Sequence, residues 1–85
     1  MGTSKEQIRG WLARGKAKKA THMLVVVDTF EYEDYPVYIM PGEKIHTAIS
    51  VYSTNMQRVM ECYSYSLDLE SQLNENRAYH LEGGK

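Results

Sequence analysis

The sequence predicts an α+β fold in the order αββαα: an N-terminal helix, an antiparallel β-hairpin, a short helix and a long C-terminal helix. Apolar residues recur at helical spacing near the amino terminus and again in the last third of the chain. A β-branched, almost continuously apolar segment lies between them. The 85 residues show no internal repeat or linker, so we expect one small domain, ordered over about residues 4–80, with a tail at 81–85.

The first helix is predicted over residues 4–19. Ser4 followed by Gln7 has the spacing of a capping box, and one apolar stripe follows, formed by Ile8, Trp11 and Leu12. Basic side chains border both sides of this stripe, with Lys5, Arg9 and Lys16 on one flank and Arg14 and Lys18 on the other. Two interior glycines each cost roughly 1 kcal/mol relative to alanine, so the helix needs tertiary packing or breaks near the second: Gly10 and Gly15.

A β-hairpin is predicted next. Residues 21–30 (THMLVVVDTF) form a strand covered on both faces, because its centre is continuously apolar. Residues 35–40 (YPVYIM) form the second strand, and residues 31–34 are the polar connection. Pro36 lacks the N–H that a ladder needs, which places its strand at the sheet edge. A two-stranded ribbon with two apolar faces needs cover, from helices on both sides or from a second chain.

The remaining sequence predicts two helices. Residues 43–52 carry apolar side chains at helical spacing. Thr54 and Gln57 then match a second capping box, and two apolar stripes follow, Met56, Val59, Met60, Tyr63 and Leu67 on one and Cys62, Leu69 and Leu73 on the other. Residues 63–70 (YSYSLDLE) alternate strictly and also fit a strand. The capping box before them and the helix formers after them favour the helix.

The small size of the chain predicts a homo-oligomer. A domain of this length has little spare stability, the lone Cys62 cannot close an internal disulfide, and no zinc-binding spacing occurs. A long helix with two apolar sides and a two-faced hairpin therefore predict self-association. The longest apolar run, residues 23–27, is too short to span a membrane. We expect no membrane partner and a reducing, cytoplasmic location.

The net charge of −1 hides an uneven distribution. Residues 1–19 hold six basic side chains against one acidic side chain, a net charge of +5, so the remainder carries −6. Basic side chains beside tyrosines can bind phosphate and stack on bases, whereas a pI of about 6.3 argues against duplex nucleic acid. A solvated surface is the plainer alternative. The residues predicted to bind a small phosphorylated ligand are Arg9, Arg14, Lys16, Lys18, Arg58 and Tyr35.

Four acidic residues fall within seven positions in and beside the hairpin connection: Asp28, Glu31, Glu33 and Asp34. Their spacing lacks the glycine and the final glutamate of a calcium loop, so no metal site is predicted. They form a solvated hairpin tip, or a surface that repels nucleic acid or pairs with basic side chains. The predicted protein-interface residues are Glu31, Glu33, Asp34, Tyr63, Leu69 and Leu73.

The chain carries no short signature of catalysis: no phosphate-binding glycine loop, nucleophile elbow or metalloprotease helix. Cys62 could meet a histidine in space, but its apolar neighbours indicate a buried, inert thiol. We therefore predict no catalytic residue and no cofactor, and favour a binding protein over an enzyme.

Two segments resemble a group of small proteins encoded by tailed bacteriophages: THMLVVVDTFEYEDYPVYIMPGE and NMQRVMECYSYSLDLESQLNENRA. The resemblance covers about residues 5–80 and rests on an Asp-Thr-Phe at 28–30, an Asp-Tyr-Pro at 34–36, a Met-Gln-Arg at 56–58, and Glu61 and Tyr63. It transfers no activity. It implies a context, because small phage accessory proteins often neutralise host defences by binding a protein or a nucleotide immune signal.

Three functional hypotheses follow. The first is a non-enzymatic phage accessory protein that counters host defence by sequestering a small anionic ligand, such as a nucleotide second messenger. The alternative is a protein that binds and inhibits a host protein through its acidic hairpin and C-terminal helix. The third is a small enzyme that degrades the same nucleotide signal in the host cytoplasm.

Overall fold

A three-stranded antiparallel sheet with helices on both faces forms this α+β domain. The computed structural model describes residues 4–54, 56–75 and 77–81. The order is αββαβα: α1 (Lys5–Ala17), β1 (His22–Asp28), β2 (Glu33–Ile39), α2 (Ile45–Val51), β3 (Gln57–Ser64) and α3 (Leu69–Leu73). The predicted α+β class, first helix, hairpin and short helix are confirmed, and the predicted long C-terminal helix is wrong.

Local signals start and stop α1. At its start, the Ser4 side chain accepts a hydrogen bond of 3.2 Å from the Gln7 N–H, which satisfies a donor that has no partner within the helix. At its end, the Lys19 N–H donates to the Lys16 carbonyl, and the N–H of the next residue donates to the Gly15 carbonyl, both at 3.0 Å. This pair of bonds is a Schellman motif, in which the residue at the position of Lys19 is usually glycine.

β1 is the central strand of the sheet. Leu24 lies opposite Val37 of β2 on one side and opposite Cys62 of β3 on the other. β2 is an edge strand, as the position of Pro36 predicts. The apolar centre of β1 is buried, which confirms the prediction that this strand is covered on both faces.

Alternate residues of β1 face two separate apolar clusters, because successive side chains of a strand point to opposite faces. Met23 and Val25 pack against the helices on one face, with Ile8, Trp11 and Leu12 of α1 and Leu73 of α3. Leu24 and Val26 pack against the helix on the other face, with Ile45, Ala48 and Ile49 of α2. One chain therefore supplies the helical cover that the hairpin requires.

A β-bulge explains why β3 looks helical in the sequence. Val59 and Cys62 are three positions apart, yet both face α2, because the register of β3 against β1 shifts between Val25 and Val26. Two residues three positions apart on one face break the alternation that identifies a strand, so the sequence lacks a strand pattern here. The second edge of β1 needs a hydrogen-bonding partner, and this tertiary requirement outweighs the local preference for helix.

Two other predictions for this segment are corrected as well. Thr54 does not cap a helix with Gln57: its hydroxyl donates to the Val51 carbonyl at 3.1 Å, and Gln57 begins β3. The alternative strand over residues 63–70 overlaps β3 only at its first two residues, because the strand ends at Ser64.

A buried glutamine fixes α3 beside the end of β3. The Gln72 Oε1 accepts a hydrogen bond from the Ser64 N–H, and the Gln72 Nε2 donates to the Ser64 carbonyl, both at 2.8 Å. The amide thus bonds both backbone groups of Ser64, as a neighbouring strand would. This contact ties α3 to the last residue of β3.

The last described residues lie along the outer edge of β3. The Cys62 N–H donates to the Ala78 carbonyl, and the His80 N–H donates to the Cys62 carbonyl, both at 2.9 Å. This segment runs parallel to β3. Leu81 packs against the cluster that faces α2, so it is not part of a frayed tail as predicted. The rest of the predicted tail, residues 82–85, lies outside the described residues.

Self-association stays a prediction. The sequence predicts it because the sheet needs cover on both faces. In the structure, the helices of one chain provide this cover. The edge strand β2 carries Pro36, which interrupts pairing with a strand of another molecule. A homo-oligomer is therefore not required to complete the core.

Gly15 lets the sheet approach α1 closely. The Tyr38 and Tyr65 hydroxyls donate to the Trp11 and Leu12 carbonyls of the helix, both at 2.8 Å. A Cβ at position 15 would collide with the Tyr65 hydroxyl and lie 2.7 Å from the Tyr38 ring. The conformational cost of this glycine is offset by the packing and by the two hydrogen bonds that it permits.

We expect Gly15→Ala to lower the free energy of unfolding by roughly 1–3 kcal/mol, because the added methyl group displaces both tyrosines. Gly10→Ala is the matched control. Nothing lies within 4 Å of a Cβ at that position, so the higher helix propensity of alanine should raise stability by roughly 1 kcal/mol. Urea unfolding of both variants measures the two effects, and changes of the same sign would contradict the role of Gly15.

Candidate functional site

Arg9 joins α1 to α3. Its guanidinium donates two hydrogen bonds to the Glu70 carboxylate, at 3.0 and 3.1 Å, and a third to Glu6 at 2.9 Å. The two hydrogen bonds between Arg9 and Glu70 lower the pKa of the Glu70 carboxyl and raise the pKa of Arg9. Two carboxylates already neutralise the charge of Arg9, which weakens its attraction for an anionic ligand.

Arg14 and Lys18 lie on the other flank of α1, beside β2. The Lys18 Nζ is 5.0 Å from the centre of the Tyr38 ring, a cation–π distance. Burial raises the pKa of the Tyr38 hydroxyl, and the charge of Arg14 acts in the opposite direction. The cations therefore border the buried stripe on two flanks, as the helical spacing predicts, with Arg9 and Lys16 toward α3.

A groove of about 520 Å³ lies between the C-terminal end of α1 and the start of α3. We call it the α1–α3 groove; it is lined by Lys16, Lys19, Ala20, Tyr65, Leu67, Asp68, Leu69 and Glu70. Of the six predicted ligand residues, Lys16 alone lines it. Within the described ranges, neither Lys16 nor Lys19 forms an ion pair.

Arg58 and Tyr35 lie near the other end of the sheet. Arg58 is exposed and lies opposite Val27. Tyr35 is on the face covered by α2, where its hydroxyl donates to the Gln57 Oε1 at 3.0 Å and burial raises its pKa. The structure therefore does not bring the six predicted ligand residues into one site.

The connection between β1 and β2 exposes large apolar side chains. Phe30 is 70% exposed and Tyr32 is 76% exposed. Met56, 62% exposed, lies beside this connection, because its carbonyl accepts a hydrogen bond of 2.8 Å from the Thr29 N–H. The Asp28 carboxylate accepts a hydrogen bond of 2.9 Å from the Phe30 N–H and so holds the turn. We call Phe30, Glu31, Tyr32, Glu33 and Met56 the tip surface.

The predicted acidic residues lie in and next to the tip surface. Glu31 is exposed in the connection, and Glu33 is exposed at the start of β2. Asp34 is half-buried within β2, opposite Val27. The connection spans residues 29–32 and so lies two residues earlier than predicted, because the ladder ends at Asp28 and already includes Glu33. Acidic side chains therefore flank the two exposed aromatic rings.

Three predicted interface residues lie elsewhere. Tyr63 and Leu73 are each only 2% exposed and belong to the core between the sheet and α1. The Tyr63 hydroxyl donates to the Glu61 carboxylate at 2.6 Å, and burial raises its pKa. Leu69 is half-buried and packs against the same core. Tyr63 and Leu73 therefore support the fold and are not accessible as an interface, whereas the half-buried Leu69 lines the α1–α3 groove.

Among the described residues, three that are not glycine adopt a left-handed backbone, and each lies at one of the two surfaces. The φ angle is 59° at Tyr32, 66° at Met56 and 66° at Lys19. This conformation costs roughly 1–2 kcal/mol for such residues, and backbone strain clusters at functional sites. The sequence does not reveal these positions, because glycine and asparagine are the usual signals for a positive φ.

The described residues bear on the predictions for metal ligands and for Cys62. They contain no group of three or more His, Cys, Asp or Glu side chains that could hold a metal ion. The prediction of a buried Cys62 is confirmed, and its thiol donates to the His80 carbonyl at 3.2 Å. In the same ranges, no helix combines the length and the apolar character needed to cross a bilayer.

Comparison of the chain with protein-family models, with curated proteins and with solved structures gives no match. The resemblance to small phage proteins therefore stays an expectation. The tip surface and the α1–α3 groove are the two candidate functional sites.

We expect the pKa of the Glu70 carboxyl to lie below its ordinary value and to rise towards it in Arg9→Gln, because the guanidinium hydrogen bonds favour the carboxylate. The lower pKa belongs to the folded state. The contact therefore stabilises the fold above the ordinary carboxyl pKa, and this contribution is lost as the pH falls through the lowered pKa.

NMR titration of the glutamate side chains measures this pKa. Lys5→Gln is the control, because it removes a cation from the same helix and leaves the Arg9–Glu70 contact in place. An identical Glu70 pKa in the wild type and in Arg9→Gln would show that the contact does not form in solution.

Proposed function

We propose that this domain is a non-enzymatic binding protein that docks on another protein through the tip surface. The observation that carries the proposal is the exposure of Phe30 and Tyr32 at the end of a hairpin that also carries acidic side chains. Aromatic residues are enriched at the centre of protein interfaces, because they bury a large area at a small cost in side-chain entropy.

The backbone of the tip surface supports this proposal. Tyr32 and Met56 hold large side chains at positive φ, a conformation that glycine adopts without strain. Neither side chain is buried in the domain, so folding gains no core packing in return. Contact with a partner would bury these side chains and so offset the cost of the positive φ.

The chemistry of the tip surface defines the partner surface. Phe30 and Tyr32 require an apolar pocket, and Glu31 and Glu33 require basic side chains around it. Surfaces of this mixed kind bind the bases and phosphates of single-stranded nucleic acid. Docking of the tip surface would block such a site by competing for the same side chains.

The resemblance to small phage proteins suggests the setting. In that setting the partner is a defence protein of the bacterial host, and the domain acts in the host cytoplasm by occluding it. This proposal includes the acidic hairpin of the hypothesis that the chain binds and inhibits a host protein. The C-terminal helix is not included, because β3 and the short α3 take its place.

Sequestration of a small anionic ligand is the second candidate function. The observation that favours it is the α1–α3 groove, where Lys16 lies together with Lys19. Arg9 is paired with carboxylates, and Arg58 and Tyr35 lie near the other end of the sheet, so these three do not take part. The small-enzyme hypothesis stays a prediction without a proposed catalytic residue.

We expect the double variant Phe30→Ser, Tyr32→Ser to fold like the wild type and to bind the partner at least tenfold more weakly, because both side chains are exposed and contribute only to docking. Immobilised protein first captures the partner from a host lysate, and calorimetry with the purified partner then measures the affinity. Tyr79→Ser is the matched control, since Tyr79 is 47% exposed outside the tip surface. Equal affinities of the double variant and the wild type would refute the docking proposal.

Tyr32→Gly separates the backbone of the tip surface from its side chain. Glycine relieves the positive φ but adds freedom to the unfolded chain, so we expect the free energy of unfolding to stay unchanged or to rise by about 1 kcal/mol. The affinity for the partner should fall at least tenfold. Urea unfolding and calorimetry give the two values. A joint loss of stability and affinity would mean that Tyr32 supports the fold rather than docking.

A further inference from the structure

We infer that the α1–α3 groove binds a nucleotide that carries a single phosphoryl group. The groove lies at the end of the sheet where His22 pairs with Ser64, whereas the tip surface lies at the opposite end, where Asp28 pairs with Gln57. The two sites share no residue. The inference rests on the second candidate function, sequestration of a small anionic ligand in this groove, and names the class of ligand. It is independent of protein docking, so either proposal can fail without the other.

The volume of the groove and its two lysines fit a small phosphorylated ligand. Its volume of about 520 Å³ lies in the range of ordinary small-molecule sites, roughly 300–1,000 Å³. Lys16 and Lys19 are exposed, and neither is engaged in an ion pair within the described part of the chain. Two lysines that line one groove can donate hydrogen bonds to the oxygens of one phosphoryl group.

The backbone at Lys19 is the second observation. Lys19 occupies the position after α1 that favours glycine, with a φ of 66°. Both hydrogen bonds of the Schellman motif come from backbone groups, so glycine would form them with less strain. The fold does not need a lysine here. At this position Lys19 supplies the groove with a second lysine in addition to Lys16.

The acidic residues that line the groove limit the ligand to one phosphoryl group. Arg9 already binds the Glu70 carboxylate. Asp68 does not use its side chain to cap α3, so its carboxylate is available to accept hydrogen bonds from a ribose hydroxyl or an exocyclic amine. A diphosphate or triphosphate would carry more negative charge than two lysines match, and Asp68 would repel it more strongly than it repels a single phosphoryl group.

The apolar lining fits a base. Tyr65 and Leu67 line the groove together with its charged residues. The Tyr65 hydroxyl is fixed by its hydrogen bond to the Leu12 carbonyl, so the ring is held in place before a ligand arrives. A flat heterocycle gains contact area on such a ring, and stacking on an aromatic side chain tolerates any base.

Calorimetric titration of the full chain with AMP, GMP, adenosine, inorganic phosphate and ATP tests the inference. We expect AMP or GMP to bind at least tenfold more tightly than adenosine, phosphate or ATP. Lys19→Gly should weaken this binding at least fivefold while its melting temperature stays equal to or above that of the wild type. Lys5→Gln, which removes an exposed lysine outside the groove, should bind like the wild type.

Three results would overturn the inference: no binding of AMP or GMP at millimolar concentration, equal affinities for phosphate and AMP, or unchanged binding by Lys19→Gly. The melting temperature of Lys19→Gly shows whether a loss of binding comes from unfolding. The double variant Phe30→Ser, Tyr32→Ser should retain nucleotide affinity, which distinguishes failure of this site from failure of the docking proposal.

Discussion

The strand β1 must be covered on four sides, and the position of nearly every other element follows from this constraint. Its centre is apolar on both faces, and the backbone groups along both of its edges need hydrogen-bonding partners. β2 and β3 satisfy the two edges, while α1 with α3 and α2 alone cover the two faces. The connections that link these elements lie at the two ends of the sheet. The tip surface and the α1–α3 groove are therefore separated by the length of β1.

Tyrosine performs two different tasks in this chain of seven tyrosines. Tyr38 and Tyr65 lie beside Gly15 and bond the carbonyls of α1, so they fasten the helix to the sheet by rings and hydroxyls together. Tyr32 instead faces solvent on a left-handed backbone and contributes nothing to the core. The same residue type is structural at one end of the sheet and available for a partner at the other.

The charge distribution follows the same axis. The basic residues at the end of α1 lie beside the start of β1, and the acidic hairpin lies at its far end. At each end, a large or charged residue occupies a backbone conformation that glycine would adopt more easily: Lys19 at one and Tyr32 at the other. Strain at these two positions and its absence from the described strands and helices fit a stable scaffold that displays two binding surfaces.

The sequence by itself determined the features that depend on neighbours along the chain. Capping at Ser4, the apolar stripe of the first helix, the hairpin and the edge position of Pro36 all follow from local spacing and backbone chemistry. Tertiary structure alone decided that β3 is a strand, because a bulge disguises its alternation and the open edge of β1 demands a partner. It also paired Arg9 with Glu70 across 61 residues and removed this cation from the predicted ligand site. Contacts between distant residues exist only once the chain has folded, so no local pattern contains them.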